Sequence, residues 1–229
     1  MTQKKQKLPV RLMFLALIVL GTAFLYAQQA PSLTISNTKE ETWGFSIRVM
    51  TQTFATETVF FSQTEGVTTF LATSVLLSQG QQAVFKAKGK TDGTRITDYA
   101  LEADYNGKHT EIIARVKGEV LEVQSGDKRV TVPWTRNTIL LDNNLSFMWQ
   151  YFLYDFPYAG TDDFIVVIPQ LILSQEQIAY PLAIQRMVEC DGKVTLNFKL
   201  VNSMGVINAD NRYHLFDIQI GATKVERNY

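Results

Sequence analysis

The stretch KVTLNFKLV, Lys193 to Val201, decides the fold class. Val194, Leu196, Phe198 and Leu200 stand on one side of it, with Thr195, Asn197 and Lys199 on the other. Successive side chains of a β-strand point to opposite faces, so a period of two describes a strand with one buried and one wet face. The same reading of RYHLFDIQI, Arg212 to Ile220, puts His214, Phe216, Ile218 and Ile220 on one face, opposite Tyr213, Leu215, Asp217 and Gln219. FIVVIP, Phe164 to Pro169, is apolar throughout and predicts a strand covered on both sides. Pro169, which has no N–H to donate, would end its ladder.

Outward from these strands the chain is punctuated at close intervals. Turn-forming residues occur at Glu65-Gly66, Ser78-Gln79-Gly80, Asp92-Gly93, Asn106-Gly107, Lys117-Gly118, Ser125-Gly126-Asp127, Asp191-Gly192 and Asp210-Asn211. Gly and Asn accept the positive φ of tight hairpins. The segments between are rich in Val, Ile, Thr, Phe and Tyr, and the spacing predicts hairpin-linked, mainly antiparallel all-β structure, a curved meander sheet or half-barrel. No internal repeat or low-complexity tract interrupts it. A single β-rich domain is expected over residues 42–229, with a linker or edge strand over 28–41.

One stretch departs from the strand pattern. LLDNNLSFMWQYFLYDFP, Leu140 to Pro157, carries six aromatic rings between Phe147 and Phe156. Asp142 and Asn143 are good helix N-caps and Pro157 supplies a stop, so a helix is predicted over about 143–156. Helical spacing collects Leu145, Met148, Trp149, Phe152, Leu153 and Phe156 on one stripe, with Asn144, Gln150, Tyr151 and Asp155 largely elsewhere. Such a stripe fills the gap left by a curved sheet. Met148, Trp149, Phe152 and Phe156 are also the residues that would line a pocket for an apolar ligand, or anchor a protein partner. Membrane-surface insertion is disfavoured, because the polar face lacks Lys and Arg.

A hairpin-rich chain with LLDNN (Leu140 to Asn144) leading into an aromatic helix, then FIVVIPQ (Phe164 to Gln170) and a closing KVERN (Lys224 to Asn228), resembles exported bacterial envelope proteins built on one long antiparallel meander. That fold is similar to the LolA-like lipoprotein-carrier half-barrels. The resemblance spans about residues 40–229 and implies a fold and a compartment; no functional residue of the carriers maps onto this chain.

The N-terminus agrees with that compartment. MTQKKQKLPVR carries Lys4, Lys5, Lys7 and Arg11 without an acid, an apolar run follows from Leu12 to Leu20, and small residues reach Ala27. Basic start, short apolar run and small-residue exit describe a signal peptide over residues 1–27, cleaved after Ala23 or Ala27. The alternative is an uncleaved anchor over residues 8–27 in the inner membrane. The 16 residues from Leu12 to Ala27 fall short of the ~20 that a spanning helix needs. The expected location is therefore periplasmic or extracellular. Without residues 1–27 the chain has 18 basic and 22 acidic side chains, a formal charge of −4. No Lys/Arg cluster offsets that, so nucleic acid is a poor partner.

Catalytic and metal-binding signatures are missing. His109 is read as a solvated hairpin residue and His214 as a partly buried imidazole on an apolar strand face. Neither stands at ligand spacing from the other or from Cys190, the one cysteine, read as half-buried before a turn. There is no G-x-S-x-G elbow and no Gly-rich loop that could cradle phosphate. No cofactor is expected. Asp162-Asp163 and Glu40-Glu41 point to opposite faces if extended. The sequence thus leads first to a non-enzymatic exported envelope protein that binds an apolar ligand (a lipid, an acyl chain or a lipidated partner). A structural or adaptor module acting through a surface for an envelope protein comes second. A carbohydrate-active or other hydrolase, its site assembled from distant strands, comes third.

Overall fold

The computed structural model describes residues 39–50, 52–78, 81–105 and 108–228, within a compact unit spanning Asn37–Tyr229. The expected signal segment lies outside the described residues. Fifteen strands form one curved sheet: β1 (Lys39–Val49), β2 (Gln52–Thr64), β3 (Val67–Ser78), β4 (Gln81–Thr91), β5 (Ile96–Tyr105), β6 (Lys108–Lys117), β7 (Val120–Ser125), β8 (Lys128–Pro133), β9 (Thr138–Leu140), β10 (Asp163–Val167), β11 (Ala179–Cys190), β12 (Lys193–Leu200), β13 (Ser203–Asp210), β14 (Leu215–Ile220) and β15 (Thr223–Asn228). Helix α1 (Met148–Ala159) and a 3-10 helix (Pro169–Leu173) complete it.

The chain starts in the middle of this sheet. It meanders outward from β1 to β8, crosses to the far end at β9, and meanders back from β10 to β15. The β1–β15 ladder, running from Gly44↔Asn228 to Val49↔Thr223, then joins the two halves. So β1 is a central strand; of the linker or edge strand expected over 28–41, residues 28–38 lie outside the described residues. Every pairing is antiparallel except β9 with β10. Parallel neighbours cannot be joined by a tight hairpin and need a crossover, and α1 lies in that crossover.

Period two holds where it was read in β12: Val194, Leu196 and Phe198 are buried and Lys199 is exposed. It fails in β14. Asn208 pairs with Asp217 and Ala209 with Leu215, which leaves Phe216 in a bulge. The extra residue shifts the alternation, so Leu215 is buried and Phe216 only half-buried, the reverse of the expectation. Ile165 of β10 is 36% exposed, so that strand alternates at its start where cover on both sides was expected. Pro169 does end the ladder, opening the 3-10 helix at its first position.

The predicted turns that fall within the described residues connect strands, and two further turns use residues that the sequence gives no reason to suspect. Met50 (φ 56°) and Val201 (φ 55°) occupy the left-handed region at the β1–β2 and β12–β13 connections. A side chain, above all a β-branched one, disfavours that region, so neither position carries a turn signal.

Two glycines have the opposite use. Gly89 faces Phe70 and Gly205 faces Phe198 in the ladder register. A Cβ on Gly205 would lie 2.2 Å from the Phe198 ring, and one on Gly89 would lie 2.6 Å from the Phe70 ring. Each ring lies down over its partner's bare backbone and leaves the space above it for α1. Gly205→Ala should push the fully buried Phe198 off its seat and cost about 1–3 kcal/mol, the usual range for overpacking. Chemical denaturation of the two proteins measures this.

Candidate functional site

The expected site residues come together inside the sheet. Met148, Trp149, Phe152 and Phe156 are all buried, within one hydrophobic core fed by both halves of the sheet. Trp149 packs on Phe198 of β12 (ring centroids 5.2 Å) and Phe152 on Phe164 of β10 (5.2 Å). On the other side Phe147 meets Phe70 of β3 (4.9 Å) and Phe61 of β2 (6.0 Å). Burying one such ring stabilises a core by roughly 1.5–3 kcal/mol.

The helix is not one-sided. Gln150, Tyr151 and Asp155, expected on its polar face, are buried too. It therefore runs inside the half-barrel, with only Pro157 and Tyr158 fully exposed. Its limits differ as well. The helix starts at Met148 with no side-chain cap of its own, runs past Pro157, and stops at Gly160 in the left-handed conformation (φ 68°). Glycine at that position ends helices at no steric cost, which moves the stop three residues beyond the proline.

Gln150 and Asp155, the buried amide and carboxylate of the helix, both reach named partners. The Gln150 amide donates to the Tyr213 carbonyl (2.6 Å) and accepts from the Leu215 N–H (2.7 Å). It thereby satisfies the backbone where β14 begins. Asp155 accepts from the Thr94 hydroxyl (3.1 Å) and lies 3.8 Å from Arg95 and 3.9 Å from Arg136. Arg95 in turn donates to the carbonyls of Thr135 (2.8 Å) and Thr138 and stacks on Trp134, 4.0 Å above the ring. Asp155 thus clamps the helix to the β4–β5 and β8–β9 connections.

The residues that lead into the helix are held from β2. Glu57, 2% exposed, accepts from the N–H groups of Ser146 (2.6 Å) and Phe147 (3.0 Å) at the entry to α1. Burial pushes its carboxyl up to about 8, against the pull of those two donors. Asp142, also buried, accepts from the Asn144 N–H (2.6 Å) and the Tyr99 hydroxyl, and burial raises it to about 6. Glu57 and Tyr99 are the groups that reading of the sequence missed, and Asp142, expected as a helix cap, instead meets Tyr99. Glu57 looks like an ordinary polar position in TFATETVF, and only the fold brings it to a helix entry 89 residues away.

The open spaces that touch α1 are small: about 150 Å³ beside Tyr151 and Tyr154, and about 190 Å³ beside Leu153 and Tyr158. Beside Phe152, Tyr151 and Asp155 there is a gap of only about 10 Å³. Clefts of about 430 and 560 Å³ lie on the outer face of β3–β6, around Leu71, Lys88 and Ala100, and beside β8 at Lys128 and Gln175. Among the described residues no group of His, Cys, Asp and Glu could hold a metal ion. His109 is exposed and pairs with Asp104 (2.9 Å), while His214 is half-buried beside Asp210 (2.8 Å). Cys190, expected to be half-buried, is exposed at the end of β11, beyond the reach of β10.

Truncation separates core from surface along α1. Phe152→Ala should cost about 3–5 kcal/mol, as large core truncations do. Tyr151→Ala should cost a comparable amount, since that ring is equally enclosed. Tyr158→Ala, at a ring 70% exposed, should stay within about 0.5 kcal/mol. Denaturant midpoints of the three variants give the comparison. The chain matches no protein-family model, and neither curated proteins nor solved structures include a significant match.

Proposed function

We propose that this is a non-enzymatic, exported envelope protein that acts through its outer surface, as a structural or adaptor module for another envelope protein. The filled interior is the observation that carries the reading. A pocket for a lipid-sized ligand needs several hundred Å³, whereas the openings lined by α1 residues are about 10, 150 and 190 Å³, the smallest of them beside Phe152. Outside, Phe60 and Leu71 are register partners on the outward faces of β2 and β3, 38% and 59% exposed, with Lys88 next in the row. Large apolar side chains adjacent in space and open to water mark contact surfaces more often than isolated ones do. Export is supported by the basic and apolar pattern of residues 1–27.

The second reading is an apolar ligand or a lipidated partner held in the curved sheet by Met148, Trp149, Phe152 and Phe156. A concave sheet carrying an aromatic helix favours it, and α1 must then shift to admit the ligand. A hydrolase is supported least: the two large clefts hold one carboxylate each, Asp98 and Glu176.

A photo-crosslinking residue placed at Leu71, with Thr131 as the exposed control, tests the leading reading in cells. A discrete protein adduct from position 71 and none from 131 is expected. Native mass spectrometry of the purified chain should show no lipid. A co-purifying lipid, with no adduct at position 71, would transfer the case to the second reading.

A further inference from the structure

The segment that seats α1 is held by acids alone. Glu57 reaches it from β2, and its register neighbours Phe45 on β1 and Ser74 on β3 bring no charge. Tyr99 reaches it from β5 through Asp142. From the 3-10 helix, Gln170 lies against Asp142 with its amide buried and without a hydrogen bond of ordinary geometry. Among the described residues, no salt bridge within 4 Å joins a Lys, Arg or His to either carboxyl. The nearest cation along the Glu57 row is Arg227 of β15, beyond Phe45; its side chain points to Gln150 and lies over Trp43. The contrast with Asp155, which sits between two arginines, is sharp.

We propose that Glu57 and Asp142 form a proton-dependent latch on α1, which holds residues 142–147 against β2 and β5 when protonated and releases them as protons are lost. Two ionised carboxyls in an apolar shell repel one another and lack the water that would solvate them, so ionisation of the second is favoured only when the segment opens. A neutral Glu57 keeps one carbonyl acceptor for the two entry N–H groups, which the ionised form would meet with one oxygen each.

The direction follows from linkage. In the closed state Glu57 is raised to about 8; exposed, it returns to its ordinary 4.5. The closed state thus binds more protons between those limits, and its stability falls as pH rises. Its full strength is present below 4.5, and the loss is complete above about 8. Asp142, raised from 3.8 to about 6, adds to the slope only at the acid end of that window. Between pH 6 and 8 the latch turns on Glu57.

Hydrogen exchange of the folded chain, read by mass spectrometry and corrected for the intrinsic pH dependence of exchange, tests this. Over residues 144–152 the opening equilibrium should rise up to about tenfold per pH unit between pH 6 and 8, the limit for one proton. Strands β12 and β13 should not follow it. Glu57→Gln, which keeps the shape and an acceptor but cannot ionise, should flatten the rise. A flat wild-type profile, or an unchanged slope in Glu57→Gln, would overturn the latch. If that variant does not fold, the carboxyl carbon of Glu57 in the wild-type protein, followed by NMR, decides. Titration well above the ordinary carboxylate range supports the latch, and titration within it refutes it.

Discussion

The parallel pairing of β9 with β10 is the constraint from which the rest follows. In a sheet otherwise built from hairpins it demands one crossover, and the crossover must pass over a face of the sheet. Here it passes over the concave face, with α1 inside it. A helix enclosed as far as Leu153 has no solvent stripe there, which explains why rings line it on several sides and why Gln150 and Asp155 need buried partners. The sheet is adapted in turn. Phe70 and Phe198 lie down over Gly89 and Gly205 and form the floor on which Phe147 and Trp149 rest.

The polar contacts of α1 divide by how their charge is compensated. Gln150 brings none and closes two backbone groups at the start of β14. Asp155 is bracketed by Arg95 and Arg136, and removing one partner of such a group leaves an uncompensated buried charge. Glu57 and Asp142 have hydrogen bonds but no counter-charge. The C-terminal part of the helix is therefore held by opposite charges, while its entry carries two carboxyls without such a pair. Stability is uneven along a single short element, and the weaker end is the one that begins the crossover.

Much of this was legible in the sequence. Alternation identified β12, Gly and Asn marked most of the hairpins, and the aromatic run disclosed a helix that fills a curved sheet. What stayed hidden depends on distant partners. The bulge at Phe216 arises from its pairing with β13, and nothing local in RYHLFDIQI announces it. Met50 and Val201 take left-handed turns against their own preference, because the flanking ladders fix the connection. Tyr151 resembled a polar-face residue because the helical wheel assumes a solvent side that this helix does not have. The N-cap was sought among Asp142 and Asn143, whereas the helix has no side-chain cap and Glu57 holds the residues just before it from β2.

The central claim is that α1 is the interior of the protein and not a lid upon it. Fluorescence of Trp149 alone, in a chain carrying Trp43→Phe and Trp134→Phe, addresses it most directly at pH 6. Trp149 is 7% exposed and stacked against Phe152 and Phe198. Its emission should lie well to the blue of the unfolded chain, with acrylamide quenching several-fold weaker. Emission and quenching equal to those of the unfolded chain, while the circular dichroism still reports an intact sheet, would contradict it.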